Sequence, residues 1–397
     1  MMGHFDTPDT TYPLPPLKEI PDNDTDKPQE AYKLTKTFGG FPAIILGAAS
    51  FSHIYNDVDH FSGVTPLRVT RLALRYGINA FDTAPFYGDS EIILGNALHA
   101  LEHEFPRDSY TLITKVGRYP TGFDYAPESI ETSVARSLRR LHTTYLDVVY
   151  LHDVEFVADE KLAKRDGNHA TALAGEREQY GLNEDQEGEA YSEKDEKVLA
   201  AVKKLFELRD ERGVIKRVGI SGYPLPALLR LATLIQKRLG KPVDLVMSFC
   251  HLTLQNSTLE LFKPALESRA GVKQVISASP FSMGILRPTP PKWAPAAPWP
   301  WIKDAVTSAV QLSKEWDASG ASLPELALQY AVARAREVGM PTVVGLSIPE
   351  EVHASAKVWH EVDGEGLAAK EEWVDRVKRM QDLFRDAQVL DCSWASP

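Results

Sequence analysis

From about residue 40 onward the chain alternates regularly between two kinds of hydrophobic pattern. Short, continuous apolar or β-branched runs occupy residues 43–46, 78–81, 111–114, 146–151, 217–220, 243–247, 275–278 and 342–344. Between them, apolar positions recur every three or four residues, as in Ile92, Leu94, Ala97, Leu98 and Leu101. The second spacing predicts amphipathic helices. The first predicts strands covered on both faces, as in a parallel sheet. Eight strands alternating with helices predict an α/β fold, a (β/α)8 TIM barrel, which needs about 250 residues before insertions. A doubly wound open sheet has the same alternation, and counting does not separate the two.

Two intervals are too long for a simple strand–helix–strand unit and predict insertions after strands four and seven. The first, about 156–194, is rich in Gly, Glu and Asp. Between Asp153 and Lys194 there are twelve acidic and five basic residues. It reads as a solvated loop with no consistent apolar face, with a lid over the barrel mouth as the sharper alternative. The second contains the Pro/Trp-rich stretch 287–301, which cannot be helical throughout. A helical tail at about 349–390 carries the stripe Trp373, Val377, Met380 and Phe384, a packing face expected to lie on the barrel wall. Residues 1–40 are rich in Pro and charge and read as a flexible lead-in, leaving 41–397 as the barrel domain.

Composition narrows the function. The chain has 397 residues, of which 43% are hydrophobic and 25% charged, with a formal net charge of −11. Such an acidic protein lacks the basic stripe that nucleic acid requires, and anionic membranes disfavour it as well. Two cysteines are too few for a disulfide framework. The first residues have no apolar core like that of a signal peptide. These features predict a cytoplasmic protein with no nucleic-acid or membrane partner and leave the oligomeric state open; no metal site is expected.

Barrel enzymes carry their reacting groups at the C-terminal ends of the strands. Asp82 and Tyr87 follow the second run, Lys115 ends the third and His152 follows the fourth. Singly, each has an ordinary reading: a capping aspartate, a snorkelling lysine, a satisfied core histidine. Together they make a proton-transfer device. A phenol titrates near pH 10, too high for efficient exchange at neutral pH. An adjacent ammonium is expected to lower that value, with a carboxylate holding the ammonium in place. The imidazole then orients a substrate oxygen.

The stretch Asp82-Thr83-Ala84-Pro85-Phe86-Tyr87-Gly88-Asp89-Ser90-Glu91 resembles the aldo-keto reductase signature, and Lys115 and His152 complete that family's tetrad. The resemblance runs from about Leu46 to Ala356. It implies a nicotinamide cofactor lying across the barrel mouth, Tyr87 as general acid/base, Lys115 and Asp82 tuning it, and His152 orienting the substrate. Val218-Gly219-Ile220-Ser221-Gly222 resembles the segment whose serine meets the nicotinamide carboxamide, although Gly222 stands where the family usually has Asn. The stretch from Ser279 through Phe281, Ser282, Met283 and Gly284 to Leu286 resembles the pyrophosphate loop. Ala278 stands where a common member has a stacking Tyr. After strand eight the resemblance implies cofactor contacts from Gly345, Ser347, Glu351 and Ser355.

Within the family, the likeness is to the L-galactose and D-arabinose dehydrogenase branch, which implies oxidation of an aldose C1 to the lactone. The early loop of that branch places Phe51 and Tyr55 as substrate contacts. No Arg or Lys precedes Lys357 after strand eight, so NAD is expected over NADP, with Lys357 as the cation that could reverse the preference. A general aldehyde or ketone reductase, and a non-catalytic nucleotide-binding barrel, are the competing functions. Gly364-Glu365-Gly366-Leu367-Ala368-Ala369 matches a dinucleotide fingerprint but follows no strand.

Overall fold

The computed structural model describes residues 4–5, 9–161, 166–289, 300–320, 322–364 and 366–394. Eight strands close into a parallel barrel. They are β1 (Ile44–Gly47), β2 (Ala80–Asp82), β3 (Thr111–Val116), β4 (Leu146–Leu151), β5 (Ile215–Gly222), β6 (Leu245–Phe249), β7 (Gln274–Ala278) and β8 (Thr342–Gly345). Each pairs with its sequence neighbours, and β8 closes on β1 through the register Thr342↔Ile44 to Gly345↔Gly47. Closure settles the choice between barrel and open sheet.

The pleat decides what enters the barrel. Ile45, Ala80, Ile113, Val148, Tyr150, Leu245, Met247, Ile276, Ala278 and Val343 form one enclosed cluster. These residues lie at alternate positions, so Asp82, Lys115 and His152, each two further along its strand line, continue the inward row. Gly219 faces the same interior, because a Cβ there would lie 2.5 Å from the Tyr150 ring and 2.7 Å from the Leu245 carbonyl. Outside the strands lie α1 (Thr65–Tyr76), α2 (Ser90–Ala100), α3 (Pro127–Arg140), α4 (Glu193–Asp210), α5 (Leu225–Leu239), α6 (Leu259–Ala270), α7 (Pro300–Ser313), α8 (Ser322–Glu337) and α9 (Pro349–Asp363); all but α7, which packs on α8 in a separate cluster, cover the opposite faces. This outer apolar layer is the larger core.

Three expectations need correction. Residues 9–40 are tied to the barrel. Asp26, 1% exposed, takes two bonds from Arg68, Arg75 reaches Asp22 at 2.6 Å, and Ile20 and Leu34 are buried. Specific ion pairs and two apolar anchors hold the segment. Composition could not reveal them, because the partners lie far along the chain.

The insertion is also packed. It forms the 3-10 turns His169–Leu173, Arg177–Tyr180 and Glu184–Gln186, and buries His169, Ala172, Tyr180 and Leu182 against α5 and α6. Its Glu187 pairs with Arg269 at 2.9 Å and Lys237 at 3.2 Å. Asp195, at the start of α4, holds Arg230 at 2.8 Å and accepts the amides of Asp159 and Tyr191.

The tail helix α10 (Glu371–Asp386) lays Val377, Met380 and Phe384 against α7 and α8, so the stripe packs on helices and not on the barrel wall. Beyond it, Ser393 bridges Gly167, and the Trp394 amide donates to the Tyr223 hydroxyl at 2.9 Å, joining the chain's end to the insertion and to the exit of β5. Residues 290–299 of the Pro/Trp-rich stretch lie outside the described residues. None of the described helices is long and apolar enough to cross a membrane.

If the insertion is part of the core, Tyr180→Ala lowers unfolding free energy by about 3 kcal/mol, the cost of emptying a buried aromatic site. Urea unfolding checks this; a loss under about 0.5 kcal/mol, the surface-substitution range, would return the insertion to a solvated loop.

Candidate active site

At the C-terminal mouth the inward row ends in charged groups. Lys115, 2% exposed, donates from Nζ to Asp82 Oδ1 at 2.5 Å and to the Thr83 carbonyl at 3.1 Å. Taking both charges out of water is costly, and only close pairing with further hydrogen bonds offsets it. The 3-10 turn Pro85–Tyr87 then folds the Tyr87 ring back over this pair, with Lys115 Nζ 4.8 Å from its centroid. The His152 ring meets Tyr87 edge-on at 5.7 Å. The four residues therefore converge from the ends of β2, β3 and β4.

The electrostatics depart from expectation at Tyr87. Its phenol is held well above the ordinary value, first by burial and then by Asp82 and Asp153, with Arg118 opposing. Lys115 does not bring it down, because its charge is already matched by Asp82, so the buried phenol keeps its proton. His152 is pushed well below its ordinary range by burial, Lys115 and Arg118, and is neutral. A protonated phenol beside a neutral imidazole can deliver a proton to a carbonyl oxygen or, once ionised, take one from a hydroxyl.

Sequence reasoning missed a second charged cluster on the same rim. Arg118, on the two-stranded ribbon of Arg118–Tyr119 and Gly122–Phe123 after β3, is ion-paired with Asp153. Its guanidinium lies 3.8 Å over the Phe86 ring and 5.2 Å from that of Phe156. Asp153 Oδ2 is 3.5 Å from His152 Nε2, and its residue takes φ +51°, a conformation costly for a non-glycine. The signal available was the run His152-Asp153-Val154-Glu155 itself, which places two more carboxylates directly after a strand end.

Glu155 accepts from the Tyr223 amide at 2.8 Å through Oε1. Its Oε2 is closed to solvent, without a partner among the described residues, and occupies the space a Cβ on Gly222 would fill. A side chain at 222 would therefore require the Glu155 carboxyl to move aside. Burial, then Asp153, raises the Glu155 carboxyl to about 8.

The remaining predicted positions divide. Ser221 lies in register with inward Met247, and its Oγ is buried without a partner among the described residues. Ser282, Met283 and Gly284 take φ of +50°, +55° and +88° in succession; Ser279 takes +58°, and Phe281 is half-buried between them. The amides of Ser282, Gly284, Ile285 and Leu286 donate to carbonyls of the same loop, which holds it as a tight turn at the rim. The orphaned inward hydroxyl of Ser221 fits a polar group of a dinucleotide lying across the mouth. Half-buried Phe249, in register with Ala278 and packed on the barrel interior, brings an aromatic ring to the edge where residue 278 has none.

After β8, Gly345 is exposed and Ser347 half-buried. Glu351 is already engaged: its Oε2 accepts the Ser347 amide at 2.6 Å and its Oε1 lies 3.7 Å from Arg287. Ser355, 1% exposed, is closed against the core side of α9. Lys357 pairs with Glu361 at 3.3 Å and Glu325 at 3.6 Å, so Arg287 is the cation nearest the start of α9 in these pairings. Of the two early-loop residues, Tyr55 is 44% exposed and feels Tyr87 and Arg287. Phe51 is wholly buried in the outer apolar layer.

Comparison with known proteins adds context. The profile described as "Aldo/keto reductase family" matches residues 43–372. D-arabinose 1-dehydrogenase of Saccharomyces cerevisiae is 36% identical over 314 residues, 78% of this chain and 80% of that protein. L-galactose dehydrogenase of Arabidopsis thaliana is 32% identical over 329 residues, covering 82% and 86%. Among solved structures, a holo-form aldo-keto reductase from Bacillus halodurans superposes with a TM-score of 0.55 at 22% identity, covering 88% of this chain and 96% of that one, which speaks to the fold.

The raised Glu155 carboxyl has a sign for stability. The unfolded chain loses this proton near the ordinary value of 4.5 and the folded chain only near 8. Between those values the folded state binds more protons, so stability falls as pH rises through that window. Glu155→Gln, which cannot ionise, is expected to gain stability relative to the parent at about pH 8 and to lose that advantage toward about pH 5. Urea titrations at both pH values decide it; an advantage independent of pH would show that Glu155 is already ionised.

Proposed function

The chain belongs to the aldo/keto reductase family, and from that we propose that it is an NAD(P)-dependent aldose 1-dehydrogenase. In this reading it oxidises C1 of a sugar such as D-arabinose or L-galactose to the lactone. The observation that carries the reading is the convergence of Asp82, Lys115, Tyr87 and His152 around one phenol. The names of the two relatives above supply the substrate class. A nicotinamide, when bound, would supply the acceptor for the C1 hydride.

The chain's own groups do the rest. Ionised Tyr87 accepts the C1 hydroxyl proton, and His152 Nε2 holds that oxygen in line. Lys115 and Asp82 fix the phenol from below. Ser221, Ser279, Phe281, Ser282, Met283 and Gly284 would hold the cofactor, with Gly345 and Ser347 along the far edge. Because burial favours the protonated phenol, oxidation speeds up as pH rises and the reverse reduction slows.

Removing only the hydroxyl in Tyr87→Phe should lower kcat by at least about 100-fold, the usual worth of a positioned acid/base. Cofactor affinity should stay within about threefold, since no proposed cofactor contact is lost. Initial rates of NADH formation over an aldose panel, with fluorescence titration of cofactor, test both. A variant retaining most of its kcat would remove Tyr87 from the chemistry.

NAD is the proposed cofactor. A 2′-phosphate needs a free guanidinium or ammonium, and Arg287 faces Glu351 while Lys357 faces Glu361 and Glu325. The kcat/KM ratio of NAD to NADP is expected to exceed about 10, one charge-assisted contact's worth. Glu351→Ala, which releases Arg287, should lower it severalfold. A parent enzyme favouring NADP tenfold would overturn the assignment.

A further inference from the structure

On the reading of the site as an aldose dehydrogenase, we propose that Asp153, held by Arg118, accepts a hydrogen bond from the hydroxyl on the carbon next to the reacting one. The enzyme then requires a 2-hydroxy aldose, and Asp153 is a specificity-determining residue.

The placement argues for this. Asp153 Oδ2 lies 3.5 Å from the nitrogen of His152 that addresses the C1 oxygen. Two groups that close together can address oxygens on adjacent carbons of one sugar. Asp153, 3% exposed, is as buried as His152, and its carboxylate is withdrawn from bulk water beside that ring. The Arg118 ion pair and the His152 contact both run to Oδ2. Oδ1 makes no hydrogen bond among the described residues, and a carboxylate can accept on both oxygens.

A purely structural role accounts poorly for these facts. A left-handed aspartate and a buried ion pair both cost stability. Near His152, an unoccupied carboxylate would also compete for the ring proton intended for the substrate. A vicinal hydroxyl removes that conflict, because it gives Asp153 its own donor.

Arg118 keeps the carboxylate aimed. It is fixed by Asp153 and by the rings of Phe86, Phe123 and Phe156. Phe123 and Phe156 stack on each other at 5.2 Å, and Phe156 is 42% exposed, one of the few large apolar side chains left open. An open ring beside a polar pair suits a molecule with one C–H face and a hydroxyl edge, which describes a sugar.

The test compares D-arabinose with 2-deoxy-D-erythro-pentose, which differs from it only by the missing 2-hydroxyl. The wild-type enzyme should favour the parent sugar in kcat/KM by at least about 30-fold, as expected for a site built to bond a hydroxyl. Asp153→Asn should narrow the ratio to within about threefold. If that variant does not fold, Asp153→Glu keeps a charge for Arg118 but displaces the carboxylate, and must narrow the ratio too. Calorimetric binding of both sugars to the cofactor-loaded Tyr87→Phe enzyme should rank them in the same order without turnover.

Equal rates on the two sugars in the wild type would overturn this inference and leave the aldose reading standing. Wild-type discrimination that survives Asp153 substitution would also overturn it. Oxidation of no aldose at all would remove the functional reading beneath it.

Discussion

The structure turns on the ion pair between Asp82 and Lys115, closed inside the barrel at 2.5 Å. Breaking a buried pair by removing one partner costs about 3–5 kcal/mol, because the survivor is left charged and dry. The pair survives because the barrel supplies what it needs. Closure brings β2 and β3 side by side with Asp82 and Ile113 in register, so that the lysine two residues beyond can reach across. The Thr83 carbonyl takes a second ammonium proton. Everything above it depends on this neutral, rigid platform. The Tyr87 ring rests 4.8 Å over the ammonium, and His152 meets the other edge of that ring.

Above the platform, the field is set by carboxylates more than by cations. Asp82 and Asp153 both raise the Tyr87 phenol, and Arg118 opposes them. Asp153 likewise raises Glu155. Asp82 and Asp153 therefore act on Tyr87, while Asp153 and Arg118 act on Glu155. Burial first, and this crowding second, keep protons bound, and the mouth holds a protonated phenol and a raised carboxyl near neutrality. That arrangement is poor for stability and useful for chemistry that must store a proton until a substrate arrives.

How far this could be read from the sequence follows from which forces were local. The strand runs were legible because burial on both faces leaves a continuous apolar signal, and 146–151 was predicted with the observed bounds of Leu146–Leu151. Asp82, Lys115 and His152 were legible because a strand end marks the mouth and parity marks the interior. Arg118 and Asp153 were not. Their roles come from a pairing 35 residues apart in sequence, across a two-residue ribbon too short to leave a pattern. Phe51 and Ser355 both lie buried on the core side of their elements, a placement that a motif alone does not give.

The same distinction explains the acidic segments. A run of glutamates looks solvated when its neighbours are considered, because like charges repel and nothing nearby offers apolar cover. In the folded chain, α5 and α6 bring Lys237 and Arg269 to Glu187, and Arg230 to Asp195. Those helices also offer the apolar surface on which Tyr180 and Leu182 close. The insertion thereby becomes an extension of the wall beside β5, and the bridge from Gly167 to Ser393 carries the chain's end to the same place. Trp394, packed on Tyr223 at 5.7 Å, then buttresses the residue whose amide holds Glu155. The acid-rich insertion and the tail thus act on the mouth through one tyrosine, and the charge that made the insertion look loose in the sequence is what fastens it.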